Sequence, residues 1–371
     1  MIFQNARIFT PGGFISGDLA VDGERIVSAA GAQGEKKDCR SKVILPGFID
    51  IHIHGCNAAD ATDLKADSPL VMSAYLASKG VTSFCPTTMT LPPETLEKAF
   101  GIIAAAMGKE PGAYIQGVNM EGPFISREKK GAQAGEYITP PSCALVKKLD
   151  GICPVKIIDI APEAEGAEQF IKEMSPAIRI SLAHTAADSE TVKKAERAGL
   201  SHATHLFNAM TGMTARNPGA AGAVLDSDKI TAELICDGIH VSPEMLRLAF
   251  RTLGESRTVI ISDAMMAAGL GEGEYTLGGQ KVIKTDAARL EDGTLAGSVA
   301  NLFDELRYAI SIGIPETQAI KSVTENPAKV IGVFGETGSL EEGKYADLVI
   351  LSSDMSRIEE VYVKGRPVFT A

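Results

Sequence analysis

Five of the six histidines in this chain lie where a predicted buried strand ends, and the sixth follows a further apolar run. Neutral imidazole is the commonest protein ligand for zinc-like metals. Histidines that converge from the same ends of several strands are therefore predicted to build a catalytic metal site. The five at strand ends are His52, His54, His184, His202 and His205, and the sixth is His240.

The spacing of these histidines separates candidate ligands from a structural residue. His52 and His54 are two residues apart, so on a strand both rings project from one face, toward the interior of a barrel. His202 lies three residues before His205, a spacing that turns two strand side chains to opposite faces. We therefore predict His52, His54 and His205 as metal ligands and His202 as a structural residue.

Two carboxylates end further predicted strands. Glu121 is followed by Gly122-Pro123, which ends its strand sharply. With His184 and His205 it forms a set of three ligands, and three ligands plus an exchangeable water is the arrangement of a catalytic zinc-type site. A metal there lowers the pKa of its water to about 7 and polarises a carbonyl oxygen. Asp263 can then take the proton of the water as general base and return it to the leaving group as general acid.

Composition limits the class of protein. The 371 residues are 45% hydrophobic, enough for one large domain with a smaller one or for an elaborated α/β barrel. The net charge of −11 disfavours a nucleic-acid or anionic-membrane surface, but it permits an anionic small substrate. The sequence pattern predicts no signal peptide and no membrane span, because no apolar run approaches the ~20 residues that span a bilayer.

The six cysteines show no C-x-x-C pattern. We therefore expect reduced thiols in a cytoplasmic enzyme. Cys56 follows the first histidine pair and is a possible ligand, but a small residue packed behind the site is the simpler interpretation.

Strands that alternate with helices must position the candidate site. In a barrel of parallel strands the chemistry lies at the carboxyl ends, so the alternation predicts an α/β protein with a (β/α)₈ TIM barrel. An open doubly wound sheet is the alternative, but no G-x-G-x-x-G follows the first strand. The predicted strands are Phe48–His54, Val81–Pro86, Tyr114–Met120, Val155–Ile160, Ala177–Ala183, His202–Phe207, Thr231–Cys236 and Thr258–Ser262.

Both ends of the chain consist of short strands punctuated by turn residues. Neither end has enough strands for a core of its own. We therefore predict that residues 1–46 and 336–371 pair into a small β-sandwich and that residues 47–335 form the barrel.

Several motifs resemble a known family. Pro46–Gly55 resembles the opening strand of the amidohydrolase superfamily. A more specific resemblance, to the branch that deacetylates amino-sugar phosphates, rests on Asn119–Ile125, His202–Met210, Cys236–His240 and Ile261–Ala264. It extends over essentially the whole chain through Leu295–Ser298, Glu325–Ala328 and Gly343–Leu348.

This resemblance implies a barrel with a β-sandwich, usually as a homodimer, that hydrolyses the acetamide of N-acetylglucosamine 6-phosphate. The galactosamine epimer is an open alternative. Glu121, His184 and His205 would hold the main metal, and Asp263 would be the acid and base. The implied substrate contacts, chiefly to phosphate, are Ala132, Asn208, Ala209, Arg216, His240, Leu295, Ala296 and Gly297.

The number of metal ions and the role of one residue stay open. Family members differ in whether they keep both histidines of strand 1; this chain keeps His52 and His54. A second ion is therefore possible, and Asp263 would then also be a ligand. Zinc or iron is the expected metal. Gln133 stands where many relatives have histidine, and an amide can donate a hydrogen bond but carries no charge.

Two rival functions remain. A cyclic-amide hydrolase or nucleobase deaminase needs no residues that bind phosphate. The presence of Arg216 and His240 therefore disfavours this function. A catalytically silent sugar-phosphate sensor would be expected to lose ligands or Asp263, and none is missing.

Overall fold

Twenty-two strands form most of the framework in the computed structural model, which describes residues 1–371. They are β1 Ile2–Thr10, β2 Gly13–Asp22, β3 Arg25–Val27, β4 Lys36–Asp38, β5 Lys42–Pro46, β6 Phe48–Ile53, β7 Gly55–Cys56, β8 Ala59–Asp60, β9 Val81–Thr88, β10 Tyr114–Ile115, β11 Val118–Phe124, β12 Val155–Ile160, β13 Arg179–Leu182, β14 His202–Ala203, β15 Thr231–Leu234, β16 Thr258–Ile260, β17 Gly273–Leu277, β18 Gln280–Lys284, β19 Ala288–Leu290, β20 Leu348–Ser352, β21 Ile358–Val363 and β22 Arg366–Thr370.

Ten α-helices connect these strands, and several begin at a side chain that accepts a backbone N–H. Asp188, Ser242 and Asn301 cap α5, α7 and α8 in this way, which satisfies N–H groups that the first helical turn leaves free. None of the helices is both long and apolar enough to cross a bilayer. The helices are α1 Ser68–Ser78, α2 Pro93–Ala106, α3 Cys143–Asp150, α4 Ala167–Met174, α5 Ser189–Ala198, α6 Gly219–Asp226, α7 Pro243–Arg257, α8 Leu302–Ser311, α9 Glu316–Val323 and α10 Glu325–Val330.

The predicted (β/α)₈ barrel is confirmed. Parallel strands follow one another in the order β6-β9-β11-β12-β13-β14-β15-β16. The carboxyl ends of β16 and β6 meet where the Asp263 N–H donates to the His52 carbonyl and the His54 N–H donates to the Ala264 carbonyl, both at 2.9 Å. All residues of β6, β9 and β11 are buried, as expected for parallel strands that are covered on both faces.

Both ends of the chain combine into one eight-stranded sheet. The order is β22-β21-β20-β5-β1-β2-β3, with β4 paired to β1. Two strands separate β1 from β21 in this order, yet the rings of Phe3 and Tyr362 are 5.2 Å apart. The sheet therefore curls over an apolar core of its own. Division of the chain into 1–46 plus 336–371 and 47–335 stays a prediction.

A buried carboxylate joins this terminal sheet to the barrel. Asp347 is 2% exposed. It accepts hydrogen bonds from the Tyr114 hydroxyl at 2.9 Å, the Thr337 hydroxyl at 2.7 Å and the Lys364 N–H at 2.8 Å. Tyr114 belongs to β10, which pairs with barrel strand β9. One side chain thus satisfies donors from both parts of the fold.

Replacement of Asp347 by alanine is expected to lower the free energy of unfolding by about 2–4 kcal/mol, because three buried or half-buried donors lose their acceptor. Urea unfolding followed by circular dichroism measures the change. The exposed Asp354 provides a control, and Asp354→Ala should change stability by no more than about 1 kcal/mol. Equal losses in both variants would show that packing, rather than Asp347, holds the junction.

Candidate metal centre and substrate cavity

The predicted ligands and the predicted base meet at the carboxyl ends of the barrel strands. They come from five strands or the turns that directly follow them, and every one is at most 7% exposed. Burial of so many ionisable side chains in one place requires pairing or metal binding. The residues brought together are His52, His54, Glu121, His184, His205 and Asp263.

Glu121 lies between two groups of metal-ligating atoms. Its Oε1 is 3.0 Å from His184 Nε2 and 3.1 Å from His205 Nε2. Its Oε2 is 3.3 Å from His54 Nε2. One group is Glu121, His184 and His205, the other is His52, His54 and Glu121, and the ligand atoms of each lie within 4.8 Å of one another.

Asp263 closes the second group. Its Oδ1 is 3.2 Å from His54 Nε2 and 3.6 Å from His52 Nε2. Burial raises the pKa of this carboxyl, but the hydrogen bond and charge interactions with the histidines outweigh burial, so the pKa lies below its usual value. Asp263 is therefore an ionised carboxylate that can bind a cation or accept a proton.

Hydrogen bonds on the far side of the rings orient two of the histidines. His184 Nδ1 is 2.8 Å from the Lys129 carbonyl, and His54 Nδ1 is 3.3 Å from the Thr87 carbonyl. A carbonyl only accepts, so each Nδ1 carries a hydrogen and each Nε2 is the nitrogen that faces the ligand cluster. This is the arrangement of histidines that bind a metal through Nε2.

The residues around His52 fit a divalent cation. His52 Nε2 is buried and has no hydrogen-bond partner, although Glu121 Oε1 and Asp263 Oδ1 both lie 3.6 Å away. A buried nitrogen without a partner is costly unless something outside the chain satisfies it. A cation between this nitrogen and the two carboxylates would do so, and His/carboxylate sets suit Zn, Fe, Mn and Co.

Three of these residues have unusual backbone conformations. His184, His205 and Asp263 have φ of 43°, 30° and 46°. Residues other than glycine seldom adopt positive φ, and such positions concentrate at functional sites. Each lies just past the end of its strand. The sharp turns therefore end the strands where the side chains meet at the mouth of the barrel.

The prediction that His202 faces away from the barrel interior is wrong. Its Nε2 is 3.1 Å from Glu233 Oε1, and Glu233 Oε2 is 3.0 Å from His52 Nδ1. Strand β14 ends at Ala203. The alternation of side chains along a strand therefore stops before His205, and the spacing of His202 and His205 does not set their faces. His202 belongs to neither ligand group.

Sequence reasoning missed Glu233 altogether. The signal was a single charged residue in the otherwise uncharged strand Thr231–Leu234. Burial raises the pKa of Glu233, but its contacts with His52 and His202 outweigh burial and place the pKa well below its usual value. Glu233 is thus a charged residue inside the barrel, beneath the candidate metal ligands.

Gln133 contacts the shared ligand directly. It is 2% exposed, its Nε2 donates to Glu121 Oε2, and its Oε1 accepts from the Thr90 N–H at 2.7 Å. Gln133 therefore orients the carboxylate of Glu121. Cys56, in contrast, is buried in the apolar core and belongs to neither ligand group.

A cavity of about 340 Å³ opens onto this cluster. Its wall contains six of the predicted substrate contacts: Ala132, Asn208, Ala209, His240, Leu295 and Gly297. Ala296 is buried behind the wall, and Arg216 lies on an exposed segment outside it. Residues that the sequence did not single out complete the lining, among them Met89, Lys129, Leu277 and Thr294.

Two residues of the cavity lining, Ala209 and His240, carry groups that suit an anion. His240 Nδ1 is 2.7 Å from Asp237 Oδ2. Burial lowers the pKa of His240, but the hydrogen bond with Asp237 outweighs burial and raises it above the usual value. Ala209 has φ of 50°, and its N–H donates to no acceptor in the chain. A histidine that favours its charged form and a free N–H are groups that bind phosphate.

The fold and the site agree with a known family. The model of the amidohydrolase family matches residues 43–368. The chain belongs to this family, whose members are metal-dependent hydrolases.

Individual relatives within the family are deacetylases of amino-sugar phosphates. The chain is 40% identical over 323 residues to N-acetylglucosamine-6-phosphate deacetylase of Bacillus subtilis, covering 84% of this chain and 81% of that protein. It is 33% identical to N-acetylgalactosamine-6-phosphate deacetylase of Escherichia coli O157:H7, covering 88% of each. The solved N-acetylglucosamine-6-phosphate deacetylase of Thermotoga maritima is similar with a TM-score of 0.91 at 33% identity, covering 100% of both chains.

Proposed function

We propose that this chain hydrolyses the acetamide of N-acetylglucosamine 6-phosphate, with glucosamine 6-phosphate and acetate as products, in amino-sugar catabolism. The observation that carries the proposal is the buried cluster around Glu121 at a cavity that also contains His240 and the free N–H of Ala209. One part of this cavity suits an amide and a metal, and another suits a phosphate. The similarity to the deacetylase of Bacillus subtilis supports the same substrate.

The side chains of the cluster supply the proton transfers. A divalent ion held by Glu121, His184 and His205 would polarise the amide carbonyl and make a water more acidic. Asp263, as an ionised carboxylate at the same cluster, accepts the proton of the attacking water. It then returns that proton to the amide nitrogen, which leaves as an amine.

The phosphate is held on the side of His240. His240, the Ala209 N–H and the Asn208 side chain would contact its oxygens, and the backbone of Ala132 and of Leu295–Gly297 would line the sugar. In a single chain, Arg216 does not line the cavity. Its contact with phosphate therefore stays a prediction.

Further observations support a metal content, an oligomeric state and a location for the protein. Two groups of ligands that share Glu121 support one or two ions per chain, with zinc or iron as the candidates. The resemblance to the family supports a homodimer, and cysteines without a C-x-x-C pattern support a cytoplasmic enzyme. The net charge of −11 supports a small-molecule substrate rather than nucleic acid or membrane.

Acetate release from protein stripped of metal and then reloaded with Zn²⁺ or Fe²⁺ tests the proposal. Turnover is expected only after reloading. We expect kcat/KM for N-acetylglucosamine 6-phosphate to exceed that for unphosphorylated N-acetylglucosamine by about 100-fold or more, because the charge-assisted contacts to phosphate are lost. N-acetylgalactosamine 6-phosphate provides the matched comparison for the sugar.

Each outcome assigns or rejects a function. A higher kcat/KM for the galactosamine compound would assign the epimer instead, in line with the Escherichia coli relative. Metal-loaded protein that releases no acetate from either phosphorylated sugar would contradict the deacetylase function. Equal rates with and without phosphate would contradict the anion site.

A further inference from the structure

A buried glutamate inside the barrel contacts His52, His202 and His205. Glu233 is fully buried in β15. Its Oε2 is 3.0 Å from His52 Nδ1 and accepts the His205 N–H at 3.2 Å, and its Oε1 is 3.1 Å from His202 Nε2. No part of the proposed reaction uses this residue.

The contact with Glu233 decides which nitrogen of His52 faces the ligand cluster. Glu233 Oε2 already accepts the His205 N–H and is an acceptor for His52 Nδ1 at 3.0 Å, so Nδ1 carries a hydrogen and Nε2 is the nitrogen that faces Glu121 and Asp263. Without this acceptor, His52 could place its hydrogen on Nε2 and would then be unable to bind a cation there.

His202 holds the carboxylate of Glu233 from the other side. Its Nδ1 lies 2.6 Å from the Thr231 hydroxyl, and that hydroxyl is 3.2 Å from the Ser201 carbonyl. The chain of contacts runs from Thr231 through His202 and Glu233 to His52. It is anchored in β14 and β15, away from the cavity, so Glu233 has little freedom to turn away from His52.

The first ligand group has different support. His184 is oriented by the Lys129 carbonyl, and Glu121 contacts Gln133. Glu233 touches this group only at the backbone N–H of His205, a contact that an amide oxygen could also accept. The two ligand groups therefore differ in their dependence on Glu233.

We propose that Glu233 is the positioning residue of the His52/His54 ligand group and that it controls binding of the second metal ion without controlling the first. The inference rests on the metal-dependent function proposed above. Glu233 touches neither substrate nor ion. It acts by fixing the hydrogen and the orientation of the His52 ring.

Metal titration of the stripped protein tests the role of Glu233, with Co²⁺ as the probe and with binding stoichiometry, Kd and the visible absorption spectrum as readouts. Wild type should bind two Co²⁺ per chain. Glu233→Gln should raise the Kd of the second ion by about 10–100-fold, as expected for loss of an outer carboxylate partner. The Kd of the first ion should stay within about threefold of wild type. Glu233→Leu, which removes every acceptor, should bind one Co²⁺ only.

Asp159→Asn is the control for replacing a buried acid inside the barrel. Asp159 is fully buried and accepts the Thr204 hydroxyl at 2.8 Å, but it hydrogen-bonds to no ligand histidine, and burial raises its pKa to about 8. This variant should bind both ions as wild type does. If Asp159→Asn and Glu233→Gln raised the Kd of the second ion equally, Glu233 would have only a general structural role and the inference would be overturned.

The remaining outcomes separate this inference from the proposed function. If Glu233→Gln binds both ions with wild-type Kd values while wild type releases acetate, only the inference fails. A wild-type protein that releases acetate with one ion would also overturn the inference and leave the function standing. Wild type that binds no Co²⁺ and releases no acetate would overturn the function itself.

Discussion

Replacement of Asp263 by asparagine should lower kcat for acetate release by about 10²–10⁴-fold, the range that general acid–base catalysis contributes. Asparagine has nearly the same shape, so the contact with His54 Nε2 at 3.2 Å can persist through the amide oxygen. An amide cannot accept the proton of the water and return it to the amine. We therefore expect the loss to appear in kcat, with KM changed by no more than a few-fold.

Metal content must be measured beside the kinetics of Asp263→Asn, because Asp263 Oδ1 also lies near His52. A variant that keeps its ions and loses turnover supports the role in proton transfer. Asp226→Asn replaces an exposed aspartate that only pairs with Lys193, and its kcat should stay within about twofold of wild type. If Asp263→Asn kept a tenth or more of wild-type kcat with full metal content, another residue would have to carry the proton.

Replacement of Glu121 by glutamine should remove most of the bound metal and lower acetate release by about 10³-fold or more, because polarisation by the ion is worth several kcal/mol. Both oxygens of Glu121 lie against ligand histidines: Oε1 is near His184 and His205, and Oε2 is near His54. Loss of its charge therefore affects both ligand groups at once. We expect fewer than one ion per chain by elemental analysis after dialysis.

Glu305→Gln is a matched control for the loss of a buried carboxyl. Glu305 is 1% exposed and accepts the Cys236 N–H at 3.2 Å, but it belongs to neither ligand group. Burial raises its pKa well above the usual value, so glutamine replaces a neutral acid by a neutral amide of the same shape. Metal content should stay at the wild-type level. Two tightly held ions in Glu121→Gln would contradict the central position of Glu121.

The parts of this protein that depend on local patterns were predictable from the sequence. A run of apolar residues that ends in a turn defines a barrel strand, and Val155–Ile160 was predicted with the bounds that the structure has. Two-residue alternation placed His52 and His54 on one face. The chemistry of Glu121 and Asp263 at strand ends followed because parallel strands bring their carboxyl ends together.

Patterns within one strand are weaker guides where the strand is short. Predicted strand His202–Phe207 is only β14 in the structure, and the backbone turns at His205, where φ is 30°. Alternation therefore placed His202 on the wrong face. The directions of the side chains in this turn are determined by the surrounding strands rather than by the spacing of the residues in the sequence.

Only the tertiary structure decided which side chains from distant strands meet. Glu233 reaches His52 across 181 residues of sequence, and β17–β18 brings Leu277 to the cavity wall. Arg216, in contrast, lies outside that wall. The physical reason is that periodicity and strand ends are properties of a local segment, while contacts inside the barrel depend on how eight strands tilt and close. The sequence by itself determined the barrel and the candidate chemistry at its rim, and closure of the barrel decided the partners of each group.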